Sequence, residues 1–470
     1  MVEEIHVDLA VIGAGPAGEK GALQAAQEGK KVVLVDRMGM LGGSCLHQGT
    51  IPSKALRLAI LDITGFQLRA FYGDQSRHDE ISMPDLQERL FKVVAEQNGQ
   101  IEKECKDAGV KVIYGSASFR DRHCIEVFNA DSKLEKRINF SYALIATGSR
   151  PRHPIEIPED SDVFLDSDHV FRMKTIPDRL IVVGAGVIGC EYATMFAALG
   201  VEVTLVDRRN GILRMLDEEI GDLFSNEMQK MGIDVRLGLG DDIVELSHAK
   251  TGQAQVVFRN GSAVEAPYLF YSMGRLANVD GLKLEQIGIE LEDGHIAVNP
   301  LFQTVCPHIY AAGDVIGLPA LASTSMEQGR LAVRNAFAMG SHHFPKIFPI
   351  GIYGVPEISS VGSTEKALKE RGINYEVGRA KYSEIARGPM AGDTSGLVKL
   401  LFHSETLELL GVHIIGTNAT EIIPIGHMAM NFRVRIDYFV DQVFNYPTFS
   451  EGFRAAALDG LRKTKRENTK

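Results

Sequence analysis

The sequence lays out one βαβ plan twice. Val7 to Asp36 reads VDLAVIGAGPAGEKGALQAAQEGKKVVLVD, and Arg179 to Asp207 reads RLIVVGAGVIGCEYATMFAALGVEVTLVD. In each, an apolar strand-like run meets G-x-G-x-x-G, an Ala-rich helical stretch follows, and a second apolar run ends on an aspartate. Strands buried on both faces of a parallel sheet read as such continuous apolar runs. Within the motif, Gly13 and Gly184 permit a tight turn, Gly15 and Gly186 let the backbone approach a pyrophosphate, and Gly18 and Gly189 let helix and strand pack closely. The phosphates would then sit at the positive end of a helix. Asp36 and Asp207 each stand eighteen residues beyond the last glycine, placed to accept hydrogen bonds from a ribose. The plan predicts an α/β chain with two Rossmann-like dinucleotide-binding domains rather than a solenoid.

Two such sites in one chain suggest one bound flavin and one exchanging nicotinamide, because those groups carry hydride chemistry that side chains lack. The rest of the composition excludes other classes. At 470 residues the chain is too long for one comfortable core. Its net charge of −11 argues against a nucleic-acid partner. No run approaches the roughly 20 apolar residues of a spanning helix, so no membrane partner is expected. Five cysteines without a C-x-x-C pair fit a reduced, cytoplasmic protein. No His/Cys/Asp cluster has ligand spacing, and no metal is expected.

Between the two plans, YALIATGSRPRHP (Tyr142 to Pro154) reads as a strand entering a Pro-punctuated crossing, and YSMGRLANVDGL around Gly274 reads as the return. From about Ser341 the texture changes: LVKLLFH suggests antiparallel strands, and an apolar-periodic stretch surrounds Ile422 to Asn431.

With ATGSRP (Ala146 to Pro151) and YAAGDV (Tyr310 to Val315) added to the two glycine motifs, the chain resembles the flavin-dependent pyridine nucleotide–disulfide oxidoreductases over nearly its whole length. The resemblance implies an FAD-binding domain in two parts, 1–150 and 275–342, an NAD(P)-binding domain at 151–274, and a C-terminal α+β dimerisation domain at 343–470. It implies a homodimer or a larger homo-oligomer. It matches Asp314 to the acid that holds the flavin ribityl chain, Lys54 of IPSK to the lysine beside flavin N5, and Glu191 of IGCEYA to that lysine's partner. It adds Arg37, Gly43, Ser44, Thr147, Gly148, Ala322 and Gly274 to the cofactor-binding set. A cation near N5 stabilises reduced flavin, and a buried lysine keeps its charge only beside a carboxylate.

Two departures from the family pattern fall together. GGSCLHQGTIPSK carries Cys45 but has Thr50 where the family has a second cysteine. Disulfide exchange needs two sulfurs, and a threonine cannot supply one. NYPTFSE places Tyr446 where the family has the histidine that serves the thiol, while Glu451 is kept. A tyrosine, with a reference pKa near 10, is poorly suited to shuttle a thiol proton at neutral pH. Both losses touch the disulfide side and spare the nicotinamide side. C-x-x-x-x-T-I-P-S-K with N-Y-P-T resembles the flavin-containing transhydrogenase branch, in which FAD mediates NADPH + NAD⁺ ⇌ NADP⁺ + NADH. Lys54, Glu191, Thr50 and Cys45 are then the catalytic set. Two alternatives stay open: an NAD(P)H:quinone or dye oxidoreductase, and a non-catalytic redox-sensing subunit that keeps its flavin.

Asp207 is followed by Arg208 and Arg209. An acid at this place favours the free ribose hydroxyls of NAD(H), and an arginine accommodates the 2′-phosphate of NADP(H). The triplet offers both devices, with the two arginines as equal candidates.

Overall fold

A computed structural model describes residues 2–66, 71, 82–154, 157, 161–340 and 343–467. The first βαβ plan folds as the strand Glu3–Ile12, the helix Pro16–Gln27 and the strand Val32–Asp36. Alternation sends Ala10, Ile12, Val33 and Val35 into one core layer and Leu9, Val11, Val32 and Leu34 into another. Both faces of the sheet are therefore covered, which is why these strands show no polar alternation. Parallel order runs Lys111–Tyr114, Val32–Asp36, Glu3–Ile12, Leu134–Ile145. The last strand shares its outer edge: its first half takes the antiparallel strand Cys124–Phe128, and its end takes Ile309–Ala311 in parallel. The helix Pro16–Gln27 meets the helix Ala322–Ala336 at near-backbone distance; a Cβ at Gly329 would lie 1.9 Å from the Ala17 carbonyl oxygen.

These elements belong to one compact unit, Met1–Leu56, Gln87–Arg152 and Gly274–Pro345. Its two crossing segments, Ser149–Pro151 and Arg275–Ala277, pair as a short antiparallel ladder, and Arg152 N–H donates to the Gly274 carbonyl at 2.9 Å.

The second unit comprises Arg57–Leu86, His153–Met273 and Lys346–Lys470. Its parallel sheet orders Asp234–Arg236, Glu202–Val206, Arg179–Val183, Tyr268–Tyr271 and Phe164–Leu165. The helix Val187–Ala198 is apolar on nearly every side and buried accordingly. An antiparallel sheet follows in the C-terminal part, in the order Ile350–Ile352, Ile358–Gly362, Leu409–Ile415, Leu397–His403, Tyr375–Lys381. The helices Ala419–Asn431 and Glu451–Glu467 cover it, with Leu400, Phe402, Val412 and Phe453 fully buried between. LVKLLFH is thus a strand and Ile422–Asn431 a helix, as the periodicity predicts. Among the described residues no helix is long and apolar enough to cross a membrane.

Candidate functional site

At the first glycine turn, Gly13 has φ +100°, a value that a side chain would make strained. A Cβ at Gly18 would lie 1.8 Å from the Gly13 carbonyl oxygen, so helix and strand meet only because no side chain stands between them. Gly15, at the helix N-cap, is different: a Cβ there would meet nothing within 4 Å. That open space above a helix N-terminus is where a pyrophosphate fits. Gly43 closes the turn from behind, since its Cβ would come within 2.7 Å of Gly15 Cα, and Gly42 N–H donates to the Ala14 carbonyl at 2.9 Å.

Asp36, buried at the strand end, accepts the Ala14 N–H at 2.8 Å and the Met38 N–H at 2.7 Å. Arg37 is exposed between them. Across the same unit, Ser149 Oγ donates to Asp314 Oδ2 at 2.7 Å, and Arg275 Nε donates to Ser149 Oγ at 2.8 Å. Sequence reading singled out Asp314 and missed Ser149 and Arg275. Ser149 lies inside ATGSRP, but nothing in the sequence ties it to an arginine 126 positions away. Gly148 adopts φ +68°, and beside it Thr147 Oγ1 is buried with no hydrogen-bond partner among the described residues. A buried orphan hydroxyl and an open N-cap in one unit fit an FAD whose polar groups would meet them.

Ser44 and Cys45 lie on the helix Gly43–His47, and Thr50 opens the helix Thr50–Thr64. Ser44 Oγ donates to Gln48 Oε1 at 3.2 Å. Burial pushes the Cys45 thiol up; the Thr50 hydroxyl and Lys54 oppose this, while Asp314 and Glu19 add to it. The net direction is upward, so Cys45 is a neutral thiol at physiological pH rather than a nucleophile. His47 is committed to packing, with Nε2 2.6 Å from the Leu41 carbonyl. Lys54 Nζ donates to Ser53 Oγ at 3.3 Å. Ala322 begins its helix.

In the second unit the same geometry recurs. Gly184 has φ +108°, a Cβ at Gly189 would lie 1.9 Å from the Gly184 carbonyl oxygen, and a Cβ at Gly186 would meet nothing. Asp207 accepts the Ala185 N–H at 2.7 Å and the Arg209 N–H at 2.7 Å. The Arg209 guanidinium then lies along the same carboxylate, Nε at 3.1 Å from one oxygen and Nη2 at 2.9 Å from the other. Burial would raise the Asp207 carboxyl, but Arg209 and the two backbone N–H groups outweigh it and hold it below the usual range. Arg208 turns elsewhere: its Nη2 donates to the Ile243 carbonyl at 3.0 Å. The two arginines, equal in the sequence, are thus unequal in the fold. Gly274, at φ +96°, lies at the crossing in the first unit.

Glu191 is buried on the second glycine-motif helix and accepts the Tyr353 N–H at 2.8 Å. Nearby in this unit, Arg57 donates to the Gly354 carbonyl at 2.9 Å and pairs with Glu357 at 3.5 Å. Tyr446 is 72% exposed, and Glu451 Oε2 is buried with no hydrogen-bond partner among the described residues. The Tyr446 hydroxyl therefore does not stand in for an imidazole on Glu451 Oε2.

One further cluster escaped sequence reading. Lys399, wholly buried, bonds Asp217 at 2.6 Å, Glu219 at 2.7 Å and also Glu365. Arg379 forks onto Glu219 at 2.8 Å, and His413 packs beside the group with Nδ1 3.1 Å from Ser360 Oγ. The three carboxylates are close enough to hold a metal ion. The Lys399 ammonium already supplies the cation between them.

Comparison with known proteins agrees with this architecture. The pyridine nucleotide-disulphide oxidoreductase family profile matches residues 7–329, and that family's dimerisation domain matches residues 348–457. A soluble pyridine nucleotide transhydrogenase of Mycobacterium bovis is 43% identical over 463 residues, covering 98% of each chain. One from Pseudomonas putida is 41% identical, covering 97% of this chain and 99% of its own. Among solved structures, LpdA from Mycobacterium tuberculosis matches with TM-score 0.88 at 26% identity, over 96% of this chain and 99% of that one. The HOCl-induced flavoprotein disulfide reductase RclA from Escherichia coli matches with TM-score 0.86 at 25% identity, over 96% and 99%.

Proposed function

The chain belongs to the pyridine nucleotide-disulphide oxidoreductase family, and from that premise we propose that it is an FAD-dependent transhydrogenase, catalysing NADPH + NAD⁺ ⇌ NADP⁺ + NADH. The observation that carries this reading is the pair Cys45–Thr50: a threonine stands where a disulfide reductase needs a second sulfur. Bound FAD supplies the reversible hydride chemistry that side chains lack. The chain's own part is binding and placement. Gly13, Gly15, Gly18 and Asp36 hold the adenosine and pyrophosphate side of the flavin dinucleotide, and Asp314, fixed by Ser149, meets its ribityl chain. Gly184, Gly186, Gly189 and Asp207 do the same for NAD(H) and NADP(H) in turn. Lys54 would be the cation for the flavin, and Glu191 is the buried carboxylate of the second glycine-motif helix. A near-thermoneutral exchange asks for little else than positioning.

The dimerisation domain supports a homodimer, and five free cysteines support a reducing compartment, the cytosol. The test is a steady-state assay of NADPH with thio-NAD⁺, run beside lipoamide, oxidised glutathione and a quinone. Turnover with thio-NAD⁺ alone is the expected result. Efficient reduction of either disulfide would overturn the reading, and preference for the quinone would replace it.

A further inference from the structure

A transhydrogenase must admit two dinucleotides that differ only by a phosphate on the adenosine ribose, and the Asp207 site meets this demand with an acid it has already covered. Both carboxylate oxygens of Asp207 are taken by Arg209 and by backbone N–H groups. A ribose that used Asp207 would have to displace the guanidinium first. Arg209 is free to leave, since its side chain is 58% exposed whereas Asp207's is 5% exposed. In the place it occupies, Nε and one Nη2 hydrogen face the acid, and the remaining N–H groups of the fork are available to an anion. Arg208 has no such freedom of role. Its guanidinium ties the loop to the Ile243 carbonyl at 3.0 Å.

Resting on the transhydrogenase reading, we propose that Arg209 alone is the specificity residue, a side chain with two positions. Lying on Asp207, it cancels the charge that would repel a 2′-phosphate and offers its outer N–H groups to NADP(H). Swung outward, it uncovers Asp207 for the ribose hydroxyls of NAD(H). A half-exposed ion pair contributes little, so opening it weakens NAD(H) by only about fivefold or less. Bonding a phosphate with a guanidinium favours NADP(H) by about ten- to a hundredfold over the same site without it. Neither position dominates so far that the other nucleotide is shut out.

The test is equilibrium binding to the FAD-loaded enzyme, by calorimetry, of 2′,5′-ADP and 5′-AMP, which report the adenosine end without any hydride transfer. Arg209→Met copies Met38, the residue at the same place after Asp36. It should weaken 2′,5′-ADP by about ten- to a hundredfold and leave 5′-AMP unchanged or up to about fivefold tighter. Arg209→Lys, which keeps the charge but not the fork, should fall between parent and Arg209→Met for 2′,5′-ADP. Arg208→Met should leave the ratio of the two affinities as in the parent. Equal losses for both ligands in Arg209→Met, or a change of ratio in Arg208→Met as large as in Arg209→Met, would overturn the assignment. Because no turnover is read, either result leaves the transhydrogenase reading to its own assay.

Discussion

Asp36 and Asp207 occupy matching places. Asp36 ends the second strand of its βαβ plan and Asp207 directly follows its own; each accepts the N–H of the alanine after the first glycine, at 2.8 and 2.7 Å, and each accepts the N–H two residues on at 2.7 Å. The side chain at that last position differs, Met38 in one and Arg209 in the other. A methionine cannot compete for the acid beside it; an arginine can. The hydrogen bonds that hold the two acids agree in length to within a tenth of an ångström, and the distinction rests on one side chain.

The largest expected effect tests whether the shared backbone is needed equally. Gly18→Ala and Gly189→Ala each place a methyl less than 2 Å from a backbone oxygen that cannot move. Gly18→Ala should give protein without bound flavin, read from its absorbance spectrum. Gly189→Ala should keep the flavin and lose its reduction by both NADH and NADPH. Flavin retained in Gly18→Ala would break the parallel.

Next in size, the second unit hangs together on a buried charge cluster. Lys399→Met strands Asp217, Glu219 and Glu365 without their ammonium, a change of about 3–5 kcal/mol at pH 7. Burial tends to raise each of these carboxyls, but bonds to Lys399 and, for Glu219, Arg379 hold all three below the usual range. Their contribution is therefore full above the ordinary carboxylate pKa of about 4 and is lost as pH falls through the depressed values. Burial tends to lower Lys399, yet the three carboxylates raise it, so its share persists to alkaline pH and fades only above its ordinary value. Thermal unfolding of Lys399→Met should show a deficit at pH 7 that holds down to about pH 4 and shrinks below it. A deficit that grows on acidification would refute this account of the cluster.

A smaller effect separates pyrophosphate from ribose. A Cβ at Gly186 meets no protein atom, so Gly186→Ala should leave thermal stability unchanged. It should raise KM for NADH and NADPH alike by about tenfold, the worth of roughly one charge-assisted hydrogen bond. Unequal rises would mean that this glycine, too, discriminates.

The smallest change is at Asp207 itself. Asp207→Asn keeps one acceptor oxygen but frees Arg209, and it should raise KM for NADH about threefold while leaving that for NADPH level or lower. The measurement is stopped-flow flavin reduction by each nucleotide.

Much of this was legible in the sequence because it is written as backbone necessity. Glycines at Gly13, Gly18, Gly184 and Gly189, apolar runs before them and acids eighteen residues after them leave few other folds. Thr50 and Tyr446 were legible as losses, since a missing sulfur and a missing imidazole are chemical facts before they are structural ones. What stayed hidden was partnership over distance. The inequality of Arg208 and Arg209 depends on the carbonyl of Ile243, and Lys399 finds its acids 182, 180 and 34 positions away. Such pairings are set by how sheets and helices come together, and no local pattern announces them.

The ladder between Ser149–Pro151 and Arg275–Ala277 has a bearing on how such a chain could be assembled and altered. It pins both ends of the His153–Met273 excursion to adjacent points, joined by the Arg152–Gly274 hydrogen bond at 2.9 Å. Closing an excursion of this length costs about 4 kcal/mol in chain entropy, and doubling it would add only about 0.6 kcal/mol. To the first unit, the size and content of what lies between those points are nearly immaterial. The crossing is a socket: a different compact module with neighbouring termini could be spliced there, and the ladder would still join its two ends.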